Sequence, residues 1–292
     1  MSDTTVRVRL MLLVVFGITS VAVWFLPNAP LELSFFQTHS PYLQVHFLDV
    51  GQGDAALIET PSGKQVLIDG GPDSTVLSRL SAKMGFFDRS IDVVVGTHPD
   101  KDHIGGLIDV LKRYTVSKIL TTENKGDTGT SQMYNKLKKA EGAEVVYVRR
   151  GQKIILDAST TMKILFPDSD PTNMESNMSS IVLQLTYGSS TFMFTGDSPK
   201  NIEEYLVSID GDALRSNVLK LGHHGSRTSS SEKYIDTVKP QFAIVSAGKN
   251  NKYGHPHVEV TDMLFNKRIP ILETSKEGTI TMLSDGKTVW KE

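Results

Sequence analysis

Thr97-His98-Pro99-Asp100-Lys101-Asp102-His103 is the stretch on which the reading of this chain turns. Two imidazoles and two carboxylates fall within the six positions from His98 to His103, and Gly105-Gly106 follows almost at once. The largely apolar, β-branched run Ile91 to Val95 predicts a buried strand before it, and Ile104 to Tyr114 predicts a helix after it. The polar residues therefore crowd a strand-to-helix turn, where loop geometry can aim them at one point. Imidazole nitrogen and carboxylate oxygen together suit divalent cations such as zinc or manganese. A turn with capping Asp residues would account for one carboxylate, but not for two flanking histidines.

The remaining histidines follow the same pattern. Of 8 in the chain, six lie in three tight clusters beside glycine or proline. One is the turn above; the others are Gly222-His223-His224-Gly225 and Gly254-His255-Pro256-His257. His39 and His46 stand apart and are assigned no role.

The composition sets outer bounds. With 292 residues, 39% of them hydrophobic and 22% charged, the chain suffices for one large globular domain or two small ones. The formal net charge is −2, so no global basic field draws it to nucleic acid. There is no cysteine, which excludes disulfides, thiolate catalysis and thiolate ligands. Near the start, Leu10 to Leu26 carries no charge. Arg7 and Arg9 precede it, and the next Lys or Arg is Lys64. That asymmetry predicts an anchor with its N-terminus in the cytoplasm and the rest of the chain across the membrane. Pro27 to Pro30 offers no A-x-A cleavage site, so the anchor is expected to stay uncleaved. The expected organisation is a cytoplasmic tip and transmembrane anchor over 1–26, a linker over 27–41, and a catalytic domain over 42–292. The expected location is the cytoplasmic membrane, single-pass, with that domain outside.

Along the domain, short strands alternate with helices. Strands are expected at 44–50, 55–59, 65–69, 91–95, 117–120, 144–148, 153–156 and 161–166. Helices are expected at 73–84, 104–114 and 131–140, with Lys136, Lys138 and Lys139 on a solvated face. The second half repeats the style, with strands at 180–187, 191–195, 217–221, 242–246, 279–283 and 288–290 and helices at 202–208 and 258–267. Two β-rich halves with helices predict an α/β (α+β) class in which two sheets pack together and helices cover them. The polar clusters then fall at strand ends.

Several motifs together carry a resemblance. They are Phe47-Leu48-Asp49-Val50-Gly51-Gln52-Gly53-Asp54-Ala55, Val66-Leu67-Ile68-Asp69-Gly70-Gly71, Thr97 to Gly106, Phe194-Thr195-Gly196-Asp197, Leu219 to Ser226 and Asn251-Lys252-Tyr253-Gly254-His255-Pro256. In this order they resemble the metallo-β-lactamase superfamily and, more narrowly, the nuclease-like domain of ComEC-type competence DNA-uptake proteins. The resemblance implies a four-layer αββα sandwich behind the N-terminal membrane-anchoring helix. Two departures from the superfamily stand out. Its turn is His-x-His-x-Asp-His, and Asp100 replaces the second His. Its isolated His before the bridging Asp is missing from Ser176-Asn177-Met178-Ser179-Ser180. The ComEC-type branch resembles this chain at both places.

The resemblance also implies roles and a cofactor of two divalent metal ions. His98 and Asp100 would bind one ion, and Asp102 and His103 the other. One of His223 and His224 would join the second ion, with His224 the choice as ligand and His223 beside the substrate. Asp197 would bridge. Asn177 could reach the first ion or hold a water. Asp69 and Asp49 would orient the ligand loops; for Asp54 structural and site-lining readings stay open. His255 could donate a proton or bind phosphate, with Asp102 as its catalytic companion, while His257 could cap a helix. Lys220 and Ser226 could hold phosphate oxygens. Oxygen donors at 100 and 177 shift the preference from zinc toward manganese.

The function expected first is a metal-dependent hydrolase of phosphodiesters, a DNA nuclease using a metal-activated water. With room for one membrane segment, it would work alone or beside a separate DNA-uptake channel. The same site could serve a small phosphodiester, a phosphocholine ester or a lactone, since one fold hosts many substrates. A catalytically silent binding module is the reading from another class, motivated by the two lost His ligands.

Overall fold

The computed structural model describes residues 40–292 apart from Phe86. The expected anchor over 1–26 and most of the linker lie outside these residues. Among the described residues no helix is long and apolar enough to cross a membrane.

Two sheets make the frame. The first joins β1 (Leu43–Phe47), β2 (Ala56–Glu59), β3 (Gln65–Ile68), β4 (Ser90–Val95), β5 (Thr115–Thr121) and β6 (Glu144–Tyr147). Two late strands, β14 (Ile280–Ser284) and β15 (Val289–Lys291), complete it in the order β15-β14-β1-β2-β3-β4-β5-β6. The second contains β7 (Lys153–Ile155), β8 (Thr160–Phe166), β9 (Val182–Tyr187), β10 (Ser190–Phe194), β11 (Val218–Lys220), β12 (Phe242–Val245) and β13 (Ile271–Glu273). Its order is β13-β12-β11-β10-β9-β8-β7. In each sheet one half is antiparallel and the other parallel: β3 to β6 in the first, β10 to β13 in the second.

Parallel strands are covered on both faces, so they read as unbroken apolar runs. Val93-Val94-Val95 shows why. Val93 and Val95 face the core between the sheets, and Val94 faces helices. The inter-sheet core packs Val45, Phe47 and Val95 against Ile164, Leu183 and Phe194. The rings of Phe47 and Phe194 stack across it with centroids 5.8 Å apart. Outside the first sheet lie α1 (Thr75–Lys83), α2 (Lys101–Ile104), α3 (Leu107–Val110) and α4 (Gly129–Ala140), which bury Leu80, Leu107 and Tyr134 against Leu67 and Val94. Outside the second lie α5 (Lys200–Asp210), α6 (Glu232–Val238) and α7 (Val258–Asn266), which bury Leu206, Ile235 and Leu264 against Met193 and Leu219. A short α8 (Thr274–Glu277) precedes β14. Three apolar clusters between four layers give the expected two-sheet sandwich.

The structure differs from the sequence expectations in three places. The helix expected over 104–114 begins earlier, at Lys101, and breaks into α2 and α3 at Gly105-Gly106. The break has a tertiary cause. Gly106 N–H donates to Gly71 O at 2.8 Å, and a Cβ on Gly106 would collide with Gly70 O. Second, α6, β13 and the short α8 form where no element is expected; α6 is short and N-capped by Ser231 Oγ, which accepts from Tyr234 N–H. Third, Lys138 is not on the solvated face with Lys136 and Lys139. It is buried, its ammonium 5.3 Å from the ring of Tyr134 and 5.5 Å from that of Tyr147.

Register sets where the loops emerge. Ile68 pairs with Val95 and Val95 with Leu120, while Phe194 pairs with Lys220 and Lys220 with Ile244. The carboxyl ends of the parallel strands are therefore level in each sheet, and α/β sheets hold ligands at those ends. Asp69 follows β3, Thr97 to His103 follows β4, Asp197 follows β10, His223-His224 follows β11 and Ser246 follows β12.

Candidate metal centre

Loops from both sheets bring their polar side chains to one pocket. His98 Nε2 lies 3.7 Å from Asp100 Oδ2 and 3.9 Å from Asp197 Oδ2. His103 Nε2 lies 3.2 Å from Asp197 Oδ1. His224 Nε2 lies 3.3 Å from Asp102 Oδ2 and 3.6 Å from Asp197 Oδ2. Asp197 thus stands between a His98–Asp100 group and an Asp102–His103–His224 group. All six residues expected as ligands converge.

Three of the inward atoms have nothing to bind. His98 Nε2, His103 Nε2 and Asp197 Oδ1 are buried and lack a hydrogen-bond partner. The contact between His103 and Asp197 is short but not aligned for a hydrogen bond. Such atoms are costly to bury unless a cation or water completes them. Two imidazole nitrogens and a carboxylate oxygen aimed at shared space are the donors a divalent cation takes. The residues present therefore fit a metal.

A second layer fixes the ligands. Asp69 Oδ1 accepts Thr97 N–H at 2.9 Å, and Asp69 Oδ2 accepts Thr97 Oγ1–H at 2.7 Å and His103 Nδ1–H at 2.8 Å. That leaves the His103 Nε2 lone pair facing the pocket, the usual arrangement for a ligating imidazole. His224 Nδ1 lies 3.0 Å from both Asp54 Oδ1 and the Ser246 carbonyl, so it carries the proton and turns Nε2 inward. Ser176 Oγ donates to Asp100 Oδ1 at 2.5 Å, and Asp197 N–H donates to Ser180 Oγ at 3.2 Å.

The electrostatics say what the cage draws in. Burial pushes the His103 and His224 pKa values down, but neighbouring carboxylates outweigh it. Asp197 and Asp69 hold His103 well above its usual value. Asp197 and Asp54 hold His224 up at about 9. Burial works against the Asp197 carboxylate too, yet His103 and His224 hold it well below the usual range. The cage thus recruits positive charge, as protons or as metal ions that displace them.

Asp54 has atoms close enough to His103, Asp197 and His224 to join a four-residue cation site. Its bonding argues for another part. Oδ1 faces His224 Nδ1, and Oδ2 lies 2.7 Å from Lys220 Nζ. Both oxygens are committed, so Asp54 positions His224. Burial opposes its charge, but Lys220 and His224 hold its pKa below the usual range.

Some expected roles change. Lys220 does not reach a substrate; it is buried, bound to Asp54 and donating to Leu221 O at 2.9 Å. Ser226 is buried as well, its Oγ 2.9 Å from Thr228 Oγ1. Asp49 points away from the ligand loops, with Oδ2 3.2 Å from an Arg79 guanidinium nitrogen. His257 occupies the position before α7 without capping it; its Nδ1 accepts Arg227 N–H at 3.1 Å. The His223-His224 pair does not continue the strand. Both sit at positive φ, 50° and 57°, and His223 Nε2 lies 3.7 Å from Asp197 Oδ2. His224 is the buried one of the pair; His223 is half-buried, with Nδ1 3.0 Å from Thr228 Oγ1.

His255 remains at the site, and Asn177 lies in the short segment whose Ser176 bonds Asp100 and whose Ser180 bonds Asp197. Asn177 Oδ1 and His255 Nδ1 are both buried and unpartnered. The His255 ring centroid lies 5.4 Å from that of His223 and 6.0 Å from that of His224. Burial, then the neighbouring His224 and His223, push its pKa down to about 4. Sequence reasoning missed Thr97, Ser176, Ser180 and Ser246 as positioning residues. For Thr97 the signal was adjacency to an expected ligand, and for Ser176 and Ser180 their place in the stretch where the superfamily has its isolated His; for Ser246 no local pattern pointed to the site.

The corrected role of Lys220 has a direct consequence. Removing one partner of a buried ion pair leaves the other charge uncompensated, which costs about 3–5 kcal/mol. Lys220→Ala should lose stability on that scale in urea unfolding, whereas a substrate-binding lysine would give unchanged stability and a raised KM.

Residues 48–249 match the model of the metallo-beta-lactamase superfamily. The chain is 30% identical over 257 residues to ComE operon protein 3 of Bacillus subtilis (strain 168), covering 81% of this chain and 32% of that protein. It is 32% identical over 234 residues to Competence protein ComA of Neisseria gonorrhoeae, covering 80% of this chain and 31% of that protein. It thus spans about a third of the length of the curated relatives it matches. In three dimensions it is similar to Zn(2+)-bound PqqB of Methylobacterium extorquens, with a TM-score of 0.53 at 10% identity over 79% of this chain and 87% of the other. That likeness is one of fold. With the family match running from the end of β1 to the loop after β12, through all six residues expected as ligands, this chain belongs to the metallo-beta-lactamase superfamily.

Proposed function

We propose that this chain is a metal-dependent phosphodiesterase that hydrolyses DNA. On this reading residues 10–26 anchor it in the cytoplasmic membrane with the domain outside, beside a separate DNA-uptake channel. The observation that carries the catalytic part is the set of orphaned ligand atoms around Asp197. The competence proteins among its relatives support DNA as the substrate.

Bound divalent ions, zinc or manganese, would supply an acidified water and neutralise charge on the phosphoryl group. The chain's residues do the rest. His98 and Asp100 would hold the first position, with Ser176 fixing the Asp100 carboxylate. Asp102, His103 and His224 would hold the second, with Asp69 and Asp54 fixing the two imidazoles. Asp197, within reach of both groups, would serve both. Asp102 is the most open of the second group, its side chain 33% exposed, so it meets the reacting water. Asn177 offers its amide oxygen to the first position. His223, half-buried beside Asp197, faces the substrate.

His255 acts as a neutral hydrogen-bond donor to a phosphoryl oxygen. Burial and the neighbouring His224 and His223 hold its pKa down at about 4, which favours the neutral ring near pH 7. The neutral ring keeps one N–H, and its buried Nδ1 has no hydrogen-bond partner among the described residues.

Purified full chain with manganese should cleave a single-stranded oligonucleotide, EDTA should abolish cleavage, and His103→Ala should lower it by about 100-fold or more. No cleavage by the manganese-loaded chain, or full activity in His103→Ala, would reject the proposal. An alkaline phosphatase fused to the C-terminus, active only outside the cytoplasm, should be active; an inactive fusion would reverse the proposed orientation.

A further inference from the structure

Two depressions meet beside the candidate metal centre. The first, about 420 Å³, runs from Asp100 and Ser176 past Asn124 to Lys125 and Gly126. The second, about 690 Å³ and shallower, continues from Lys125 and Gly126 along α4 to Lys136 and Lys139. Their shared residues make them one path. Gly126 is the join: its φ is +61°, and a Cβ there would come within 2.7 Å of the Pro99 side chain and 2.9 Å of Ser131. Only glycine lets the 123–128 loop lie directly on Pro99, next to His98.

The far part of the path is positive and unneutralised. Lys125, Lys136 and Lys139 are exposed, and among the described residues none pairs with a carboxylate. What sets these three apart is that they share one depression, whereas Lys64, Lys118 and Lys267 are each paired with a carboxylate. Beneath the three, Lys138 is buried without a carboxylate. Burial, then Lys139 and Lys125, push its pKa down to about 8, so these charges repel one another. Of the acids lining the first depression, Glu123 is neutralised by Arg149, while Asp127 at the rim is exposed and leaves the positive charge concentrated farther along, on Lys136 and Lys139. A repelling cluster on a chain of net charge −2 is a local field that favours an external polyanion. Lys136 and Lys139 are neighbours on one helix face, about 5–6 Å apart at Cβ. That spacing suits consecutive phosphates of an extended strand, whereas a lone small anion would need only one of them.

We propose that this path is the track of a single nucleic-acid strand. Its phosphates lie on Lys139, Lys136 and Lys125, and it enters the cleft beside Asp100, which brings one phosphodiester to the metal centre. This rests on the reading of the chain as a nucleic-acid phosphodiesterase, and it places the polymer's recognition away from the reacting groups.

The test compares full chain with its Lys125→Ala/Lys136→Ala/Lys139→Ala variant. Binding of a fluorescein-labelled single-stranded oligonucleotide is followed by anisotropy in EDTA, across a salt series. Each phosphate contact contributes about 0.7 to the slope of log affinity against log salt, so the variant's slope should fall by about 2. With manganese, hydrolysis of bis(p-nitrophenyl) phosphate by the variant should stay within about twofold of the parent. An unchanged slope and affinity would overturn the track. So would an equal loss on the small diester, or binding to phosphatidylglycerol vesicles with none to the oligonucleotide. If neither protein hydrolyses any diester, the phosphodiesterase reading fails and the binding measurement alone decides the track.

Discussion

Asp197 is the residue around which the site is built. It is a buried carboxylate at the end of a central strand, with the Nε2 atoms of His98, His103, His223 and His224 all within 4 Å of its oxygens. A carboxylate and several imidazoles cannot be taken out of water without compensation. The sandwich supplies part of that compensation through charge pairing and leaves part unmet. The unmet part, orphaned nitrogens and one orphaned oxygen, is the donor set that a divalent cation would complete. No single sheet could build it: the first contributes His98 to His103, and the second contributes Asp197 and the His223-His224 turn.

The carboxylates behind the ligands do as much as the ligands. Asp69 ties the turn after β4 to the turn after β3, and in the same contacts sets the tautomer of His103. Asp54 does the corresponding work for His224, with Lys220 balancing its charge. Backbone bonds lock these loops together: Asp54 N–H donates to Asp102 O at 3.1 Å, and Gly70 N–H donates to His103 O at 2.7 Å. A metal site whose ligand loops also bind one another is held in shape before any ion arrives, which preorganises it for catalysis.

What could be read from sequence and what could not divides along a physical line. Metal-binding side chains are few in kind, and the strands that carry them have strong apolar periodicity. His98, Asp100, Asp102, His103, Asp197 and His224 could therefore be picked out, and the layers with them. Partners far apart in sequence could not. Lys220 reads as a phosphate ligand because Asp54, its actual partner, lies in the other sheet's loops. The shape of the His223-His224 turn is not legible because nothing local announces two successive left-handed conformations. The helix after His103 was read as continuous because the reason for its break is the approach of Gly70 and Gly71, again distant in sequence. Ser176, in a stretch singled out for a missing histidine, turned out to steady Asp100 from within that stretch.

The central claim is that Asp197 stands between two cation positions. Crystals of the full chain grown with manganese, examined by anomalous scattering at the manganese edge, test it most directly. Two peaks are expected, one against His98 and Asp100 and one against Asp102, His103 and His224, with Asp197 touching both, and both should vanish in Asp197→Ala. Manganese-saturated crystals with no peak in this cage would contradict the claim outright.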